Sequence, residues 1–339
     1  MPQPRGVCHG LPMHAALPEG LRDAGFAVAQ ARSLGMTSSQ LRSRELPRPF
    51  RGARALRAPA SQLERAQAFA PLLRPWQALA GLSALAVLGL PVPWRFARSD
   101  DVEVLSATGR GFPKRAGVRV RRIAPDRLET RLVEGVRVAS PSLVWAQLAQ
   151  RCTVQELVML GDAIVSEAGH YPNRRLPGPL ASIDELAATA RRWSRSSGAA
   201  AMLEALERVR PGVESPRETD MRLFITGAGL PEPEVQVTIV DPSTGRTLGR
   251  ADLLHRDARV VEEYEGDGHR EQGQWDRDIQ KYREFERIGL HVVRATNRDF
   301  VPSPEGWLAD LAAVLQRRGS TPVTSDPLRA SVQLWRRSG

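Results

Sequence analysis

Cysteine is nearly missing from this chain: 339 residues contain only Cys8 and Cys152. Two isolated thiols far apart in sequence make no metal-ligand pattern and exclude a disulfide framework as the source of stability, which fits a reducing compartment. Lysine is as scarce, because all 48 basic residues except Lys114 and Lys281 are arginine. High-GC coding produces that bias, so by itself it says little about function. Long apolar runs are absent too. Residues 75–94 carry no charge, but Gln77, Gly81, Ser83, Gly89, Pro91 and Pro93 interrupt them. What remains is about 13 apolar residues, the length of a buried helix rather than of a membrane span. The opening Met-Pro-Gln-Pro-Arg-Gly lacks the apolar core of a signal peptide. The expectation is a cytoplasmic protein without a membrane partner. An apolar share of 42 % with non-periodic Gly and Pro excludes collagen-like and wholly disordered chains.

Charge is present in quantity and unevenly placed. The formal net charge of +10 divides into +13 over residues 1–210, −5 over 211–301 and +2 over 302–339. A basic front joined to an acidic segment suits a protein in which one part meets a polyanion and another gathers metal-binding acids. The length calls for two or three domains. The expected fold class is α/β (multi-domain α+β overall), with boundaries at 1–60, 61–210 and 211–318 and a mobile tail over 319–339.

Residues 1–60 read as a winged helix-turn-helix. Ala27–Leu34 is a short helix ended by Gly35. Thr37 caps a second helix, Ser38–Glu45, with Gln40 closing a capping box and Pro47 stopping the helix. Pro49–Arg57 forms a two-strand wing turning at Gly52. The second helix would enter the major groove, so Gln40, Arg42, Arg44, Arg51 and Arg54 are the expected DNA contacts. A small helical packing module is the plain alternative.

Residues 61–210 read as mixed. Helices are expected at Ala66–Leu73 and Trp76–Leu90, and strands at Val102–Ser106 and Val118–Ile123, where Arg119, Arg121 and Arg122 add positive charge. Further helices follow from Ser140-Pro141 to Arg151, over Val154–Ala168 and over Ile183–Arg210. No catalytic constellation stands out here, and the segment reads as a spacer or contact surface.

Residues 211–318 alternate as an α/β core. A helix runs from Pro216 to Gly227, followed by a strand Glu234–Val240, a strand ending near Leu254 and a strand Arg259–Glu265. A helix Trp275–Ile288, a strand His291–Ala295 and a helix Pro304–Arg317 complete the order. Asp252 lies near the end of one strand, while Glu263 and Glu265, two apart on the next, share a face. Carboxylates converging from adjacent strands make a hard-cation site of the kind used to cut phosphodiesters. Two acids on strands that otherwise read as buried need a compensating cation. Duller roles exist nearby. Glu218 sits three residues after Ser215 and could complete a capping box. Asp278 and Lys281 at i,i+3 read as a surface ion pair, Glu262 as solvated or paired with an arginine, and Asp267 as turn chemistry.

Ser215-Pro-Arg-Glu218, Ala251-Asp252, Glu262-Glu263-Tyr264-Glu265-Gly266-Asp267-Gly268-His269, Trp275-Asp-Arg-Asp278 and Val292-Val-Arg294 together resemble the very-short-patch-repair-endonuclease-like branch of the PD-(D/E)XK nuclease superfamily. The resemblance covers about a quarter of the chain and implies a restriction-endonuclease-like core, a mixed central sheet flanked by helices. It implies Mg²⁺ (or Mn²⁺) bound by Asp252 and Glu263 with support from Glu218. Glu265 falls where many relatives carry a lysine, and Lys281 could reach in from the following helix. His269 would act as general base or steady the scissile phosphate, and Gly268 replaces a second histidine. Residues 15–170 are similar, more loosely, to AbiEi-type antitoxins through Gly35-Met-Thr37, Arg51-Gly52 and Ser83-Ala-Leu-Ala-Val-Leu-Gly-Leu-Pro91. That likeness implies a DNA-binding autorepressor with a toxin partner. The expected function is metal-dependent endonucleolytic hydrolysis of DNA, with a repressor carrying an idle nuclease fold as the alternative. Oligomeric state and DNA target stay open at this level.

Overall fold

The computed structural model describes residues 17–21, 24–109, 114–169, 171–266, 272–301 and 303–320, with the side chains of 272–276 left aside. The chain divides between Gln147 and Leu148 into two compact units.

The first unit opens with β1 (Phe26–Ala27), α1 (Val28–Ser33) and β2 (Ala53–Arg54). The stretch expected to be a basic helix over Ser38–Glu45 is a single 3-10 turn, Gln40–Arg42. The Thr37 amide donates to Gln40 Oε1 at 2.7 Å and the Gln40 amide to Thr37 Oγ1 at 3.2 Å, so the reciprocal cap forms. Ser39 and Ser43 flank the turn, residue types that compete locally for backbone bonds, and Pro47 follows. The ribbon also differs from expectation. β2 pairs antiparallel with β1, ahead of the helix, rather than with a neighbour across Gly52. Phe26, Ala31, Met36, Leu41 and Leu46 form the small core of this region.

After α2 (Gln62–Phe69) comes β3 (Gln77–Leu79), then α3 (Gly81–Leu88). The expected single helix over Trp76–Leu90 is therefore a strand followed by a helix. Gly81 at φ +47 makes the corner, where a Cβ would stand 1.7 Å from Glu103 Oε2. α3 is buried almost all round, and no described helix is long and apolar enough to cross a membrane. β4 (Val102–Ala107), β5 (Val118–Ile123), β6 (Thr130–Val133) and β7 (Val136–Ala139) complete a five-stranded mixed sheet in the order β5-β4-β3-β7-β6. The β6–β7 hairpin has no counterpart in the sequence expectation. α4 (Pro141–Leu148) closes the unit, with Ser140 Oγ accepting from the Leu143 amide.

The second unit begins with helices α5 (Val154–Val165), α6 (Ile183–Arg192) and α7 (Ala199–Leu206). The expected long helix over Ile183–Arg210 breaks after Arg192, where Ser194, Ser196 and Gly198 stand. Thr153 with Glu156 and Ser182 with Glu185 cap α5 and α6 through reciprocal bonds. α8 (Pro216–Gly227), β8 (Glu234–Val240), β9 (Thr247–His255), β10 (Val260–Glu265), α9 (Gln272–Arg287), β11 (His291–Thr296) and α10 (Glu305–Arg317) follow, an α/β order close to expectation. The sheet runs β11-β10-β9-β8; β10 and β11 are parallel and joined through α9, and the other pairs are antiparallel.

Val260 and Val261, adjacent on β10, face opposite layers. Val260 packs with Leu253 and Ala295 against α8 and α10, while Val261 packs with Ala251 and Leu254 against Phe285 of α9. A buried network ties α5 to this core, and α5–α7 fall within the second unit. Asp162 of α5 accepts from Thr219 at 2.8 Å and from Arg222 at 2.9 Å, and Arg222 reaches Glu232 at 3.0 Å. Burial pushes the Asp162 carboxyl up to about 6 despite the Arg222 guanidinium.

Candidate metal and nucleic-acid sites

Three elements of the second unit deliver carboxylates to one place. Glu218 comes from the first turn of α8. The Ser215 hydroxyl accepts the Glu218 amide at 3.2 Å, half of the expected capping box. The Glu218 carboxylate does not complete the box; its Oε2 accepts from the Glu214 amide at 2.9 Å and from Gln236 Nε2 at 2.9 Å. Asp252 comes from β9 and Glu263 from β10. Past Glu262 the ladder between these strands stops, and Asp252 Oδ2 accepts the Tyr264 amide at 2.9 Å. The carboxylate thereby takes the place of a strand partner.

Glu263 is 4 % exposed and its Oε1 has no hydrogen-bond partner. Its Oε2 accepts from Lys281 Nζ at 2.8 Å, and the same ammonium donates to the Arg250 carbonyl at 3.0 Å. Lys281 thus reaches across β9 into the acid cluster, which corrects its reading as half of a surface pair with Asp278. Gly249 leaves the room for it: a Cβ there would stand 3.0 Å from both Cγ and Cδ of Lys281.

The electrostatics record an excess of negative charge. Burial, then the charge of Asp252, pushes Glu263 up to about 8, with Lys281 pulling the other way. Burial and Asp252 push Glu218 up to about 7. Asp252 is raised by burial, partly offset by the Tyr264 amide and Lys281. Three carboxylates face one ammonium, an imbalance that proton uptake by Glu218 and Glu263 or a further cation would relieve.

Among the described residues, no group of three or more His, Cys, Asp or Glu side chains is arranged as it stands to hold a metal ion. The donor chemistry nevertheless fits one. The ligands are hard oxygens, Glu263 Oε1 is unpartnered, and Asp252 Oδ1 has only a 3.5 Å contact with Gln236. The amide of Gln236 stands between Glu218 and Asp252, 2.9 Å from Oε2 of the first and 3.5 Å from Oδ1 of the second. Sequence reading missed Gln236, and a lone polar residue in Val235-Gln-Val-Thr-Ile239 is a weak signal for it.

The other expected residues are placed as follows. Glu265 accepts from the Tyr282 hydroxyl at 2.9 Å. Burial, and then Glu263, Glu265 and Asp278, raise the Tyr282 phenol, so it remains a donor. Asp278 lies on α9 one turn before Tyr282. His269, Gly268 and Asp267 lie outside the described residues. Glu262 is fully buried rather than solvated, and it meets His255, not an arginine. His255 Nε2 lies 3.2 Å from Glu262 Oε1, but without hydrogen-bond geometry, so both Glu262 oxygens are unsatisfied. Burial raises the Glu262 carboxyl despite the histidine.

In the first unit, Arg42, Arg44 and Arg51 are exposed. Gln40 is occupied by Thr37, and Arg54 donates to the carbonyls of Leu41 and Ala53, each at 2.7 Å. Arg54 thus ties the 3-10 turn to β2. Arg115 donates to the Arg51 carbonyl and is lowered by burial and by the charges of Arg74 and Arg51, which marks a dense cationic surface. No protein-family model, curated protein or solved structure matches the chain.

Proposed function

We propose that the chain is a DNA-binding, metal-dependent endonuclease of the PD-(D/E)XK type. The observation that carries this reading is the meeting of Glu218, Asp252 and Glu263 with the single ammonium of Lys281, with Glu263 Oε1 left unpartnered. Asp252 and Glu263 would hold Mg²⁺ or Mn²⁺, with Glu218 in support. The bound ion would lower the pKa of a water and neutralise charge on the phosphoryl group. Lys281 takes the part that the superfamily lysine would have at Glu265. Its ammonium stands beside Glu263, where it can offset charge that develops on a phosphate oxygen. Asp252 is held in one orientation by the Tyr264 amide, which fixes a ligand on the sheet rather than on a loop. Arg42, Arg44 and Arg51 would bind the DNA backbone, and their exposure supports that role. The test is cleavage of supercoiled and linear DNA with Mg²⁺ or Mn²⁺. The reading requires nicking or cutting by the parent and its loss in Asp252→Ala; equal cleavage by both contradicts it.

A second reading is an AbiEi-type antitoxin or transcriptional repressor with an idle nuclease fold. Two observations favour it: Glu265 is held by Tyr282, and no described trio of ligands is arranged for a metal as it stands. Sequence-specific operator binding that ignores metal, together with absence of cleavage and capture of a toxin encoded beside it, would establish this alternative.

A further inference from the structure

Gln236 sits at the acid cluster in a way its strand does not explain. The β8–β9 register runs Val235↔Leu253 and Val237↔Ala251, which sets Gln236 opposite Asp252. Its backbone is at φ +51, a region a side-chain-bearing residue adopts at a cost and that concentrates at functional sites. Its side-chain amide lies 2.9 Å from Glu218 Oε2 and 3.5 Å from Asp252 Oδ1. Ionised carboxylates only accept, so the nitrogen faces them. Gln236 also lines a cavity of about 480 Å³, together with Glu167, Gly212, Glu214 and Arg250 among others. There is room for it to leave.

We infer that Gln236 is a placeholder for the cation: its amide lies between Glu218 and Asp252 and yields that place to a divalent ion by swinging into the adjoining cavity. This rests on the metal-site reading above. A donor amide and a dication seek the same two oxygens, so the amide competes with the ion and sets its affinity. Gln236 is accordingly a positioning residue rather than a ligand. The bridge explains why oxygens suited to a metal are not gathered as they stand. It also gives the strained backbone a role, since it directs a side chain of β8 at Asp252.

The test is calorimetric titration of Mg²⁺ into the full chain, without DNA. Parent, Gln236→Ala, Gln236→Gly and Asp252→Asn are compared, with circular dichroism as the check on folding. Gln236→Gly guards against misfolding, because glycine adopts φ +51 freely. Removal of a hydrogen-bond competitor should tighten Mg²⁺ binding by about tenfold in both Gln236 variants, while Asp252→Asn loses it. Unchanged or weaker binding in both Gln236 variants, with the parent binding and Asp252→Asn not, overturns the placeholder and leaves the metal site standing. Absence of Mg²⁺ binding in the parent and in both Gln236 variants overturns both.

Discussion

Replacing Glu263 by glutamine should make the metal-free protein more stable at high pH and leave it nearly unchanged at low pH. The carboxyl is displaced from its ordinary value of 4.5 to about 8 by burial and by Asp252. For an acid whose folded pKa is raised, the folded state binds the proton more tightly than the unfolded state. Stability is then fully present below about 4.5, declines as pH rises, and reaches its floor above about 8. The whole displacement corresponds to about 5 kcal/mol at most. Relaxation around the ionised group lowers this, so about 2 kcal/mol is the expected gain for Glu263→Gln at pH 9. In a unit of this size that is a rise in midpoint of about 4–8 °C. Urea unfolding in EDTA at pH 5, 7 and 9 reads it directly. A gain equal at pH 5 and 9 would mean better packing rather than relief of charge, and a loss at pH 9 would refute the reasoning.

Three further outcomes follow from the same geometry. Lys281→Met should lower DNA cleavage by about 10²–10³-fold with little change in DNA affinity, and equal turnover would remove Lys281 from the chemistry. Asp162→Asn leaves Arg222, 1 % exposed, without its buried counter-charge. A loss of about 3 kcal/mol is expected in urea unfolding, and a change under about 0.5 kcal/mol would show that Glu232 alone suffices. Arg42→Ala with Arg51→Ala should weaken DNA binding at 50 mM salt and flatten its salt dependence by about two units of log–log slope, whereas an unchanged slope would move the interface elsewhere.

Much of the second unit was legible because its signals are local and agree with one another. Ser215-Pro216 starts α8 where a cap and a favoured first position coincide, and the alternation in Val260–Glu265 gives β10 with its acids in register. The acid trio was legible for the same reason: Asp252 and Glu263 are charges in strands too apolar to tolerate them unpaired. Lys281 was only half legible, because its reach depends on the space left by Gly249, a contact 32 residues away in sequence. Gln236 was hidden, because nothing in a Val-Gln-Val alternation announces a positive φ. The first unit misled more. Trp76–Leu90 is uncharged and mostly apolar, so periodicity could not separate β3 from α3, and only Gly81 marks the corner. The helix expected at Ser38–Glu45 had a genuine cap at Thr37 but too little after it to extend beyond one turn. Nothing in the sequence singles out Asp162, because its partners Thr219 and Arg222 lie on another helix, beyond the boundary expected at residue 210.

The central claim is that Glu218, Asp252 and Glu263 share one divalent cation, and a crystal of the full chain soaked in saturating Mn²⁺ tests it most directly. The account requires an anomalous peak contacting Asp252 and Glu263, with Glu218 oriented toward it. No peak at the cluster, with the Gln236 amide still bridging Glu218 and Asp252, would contradict it.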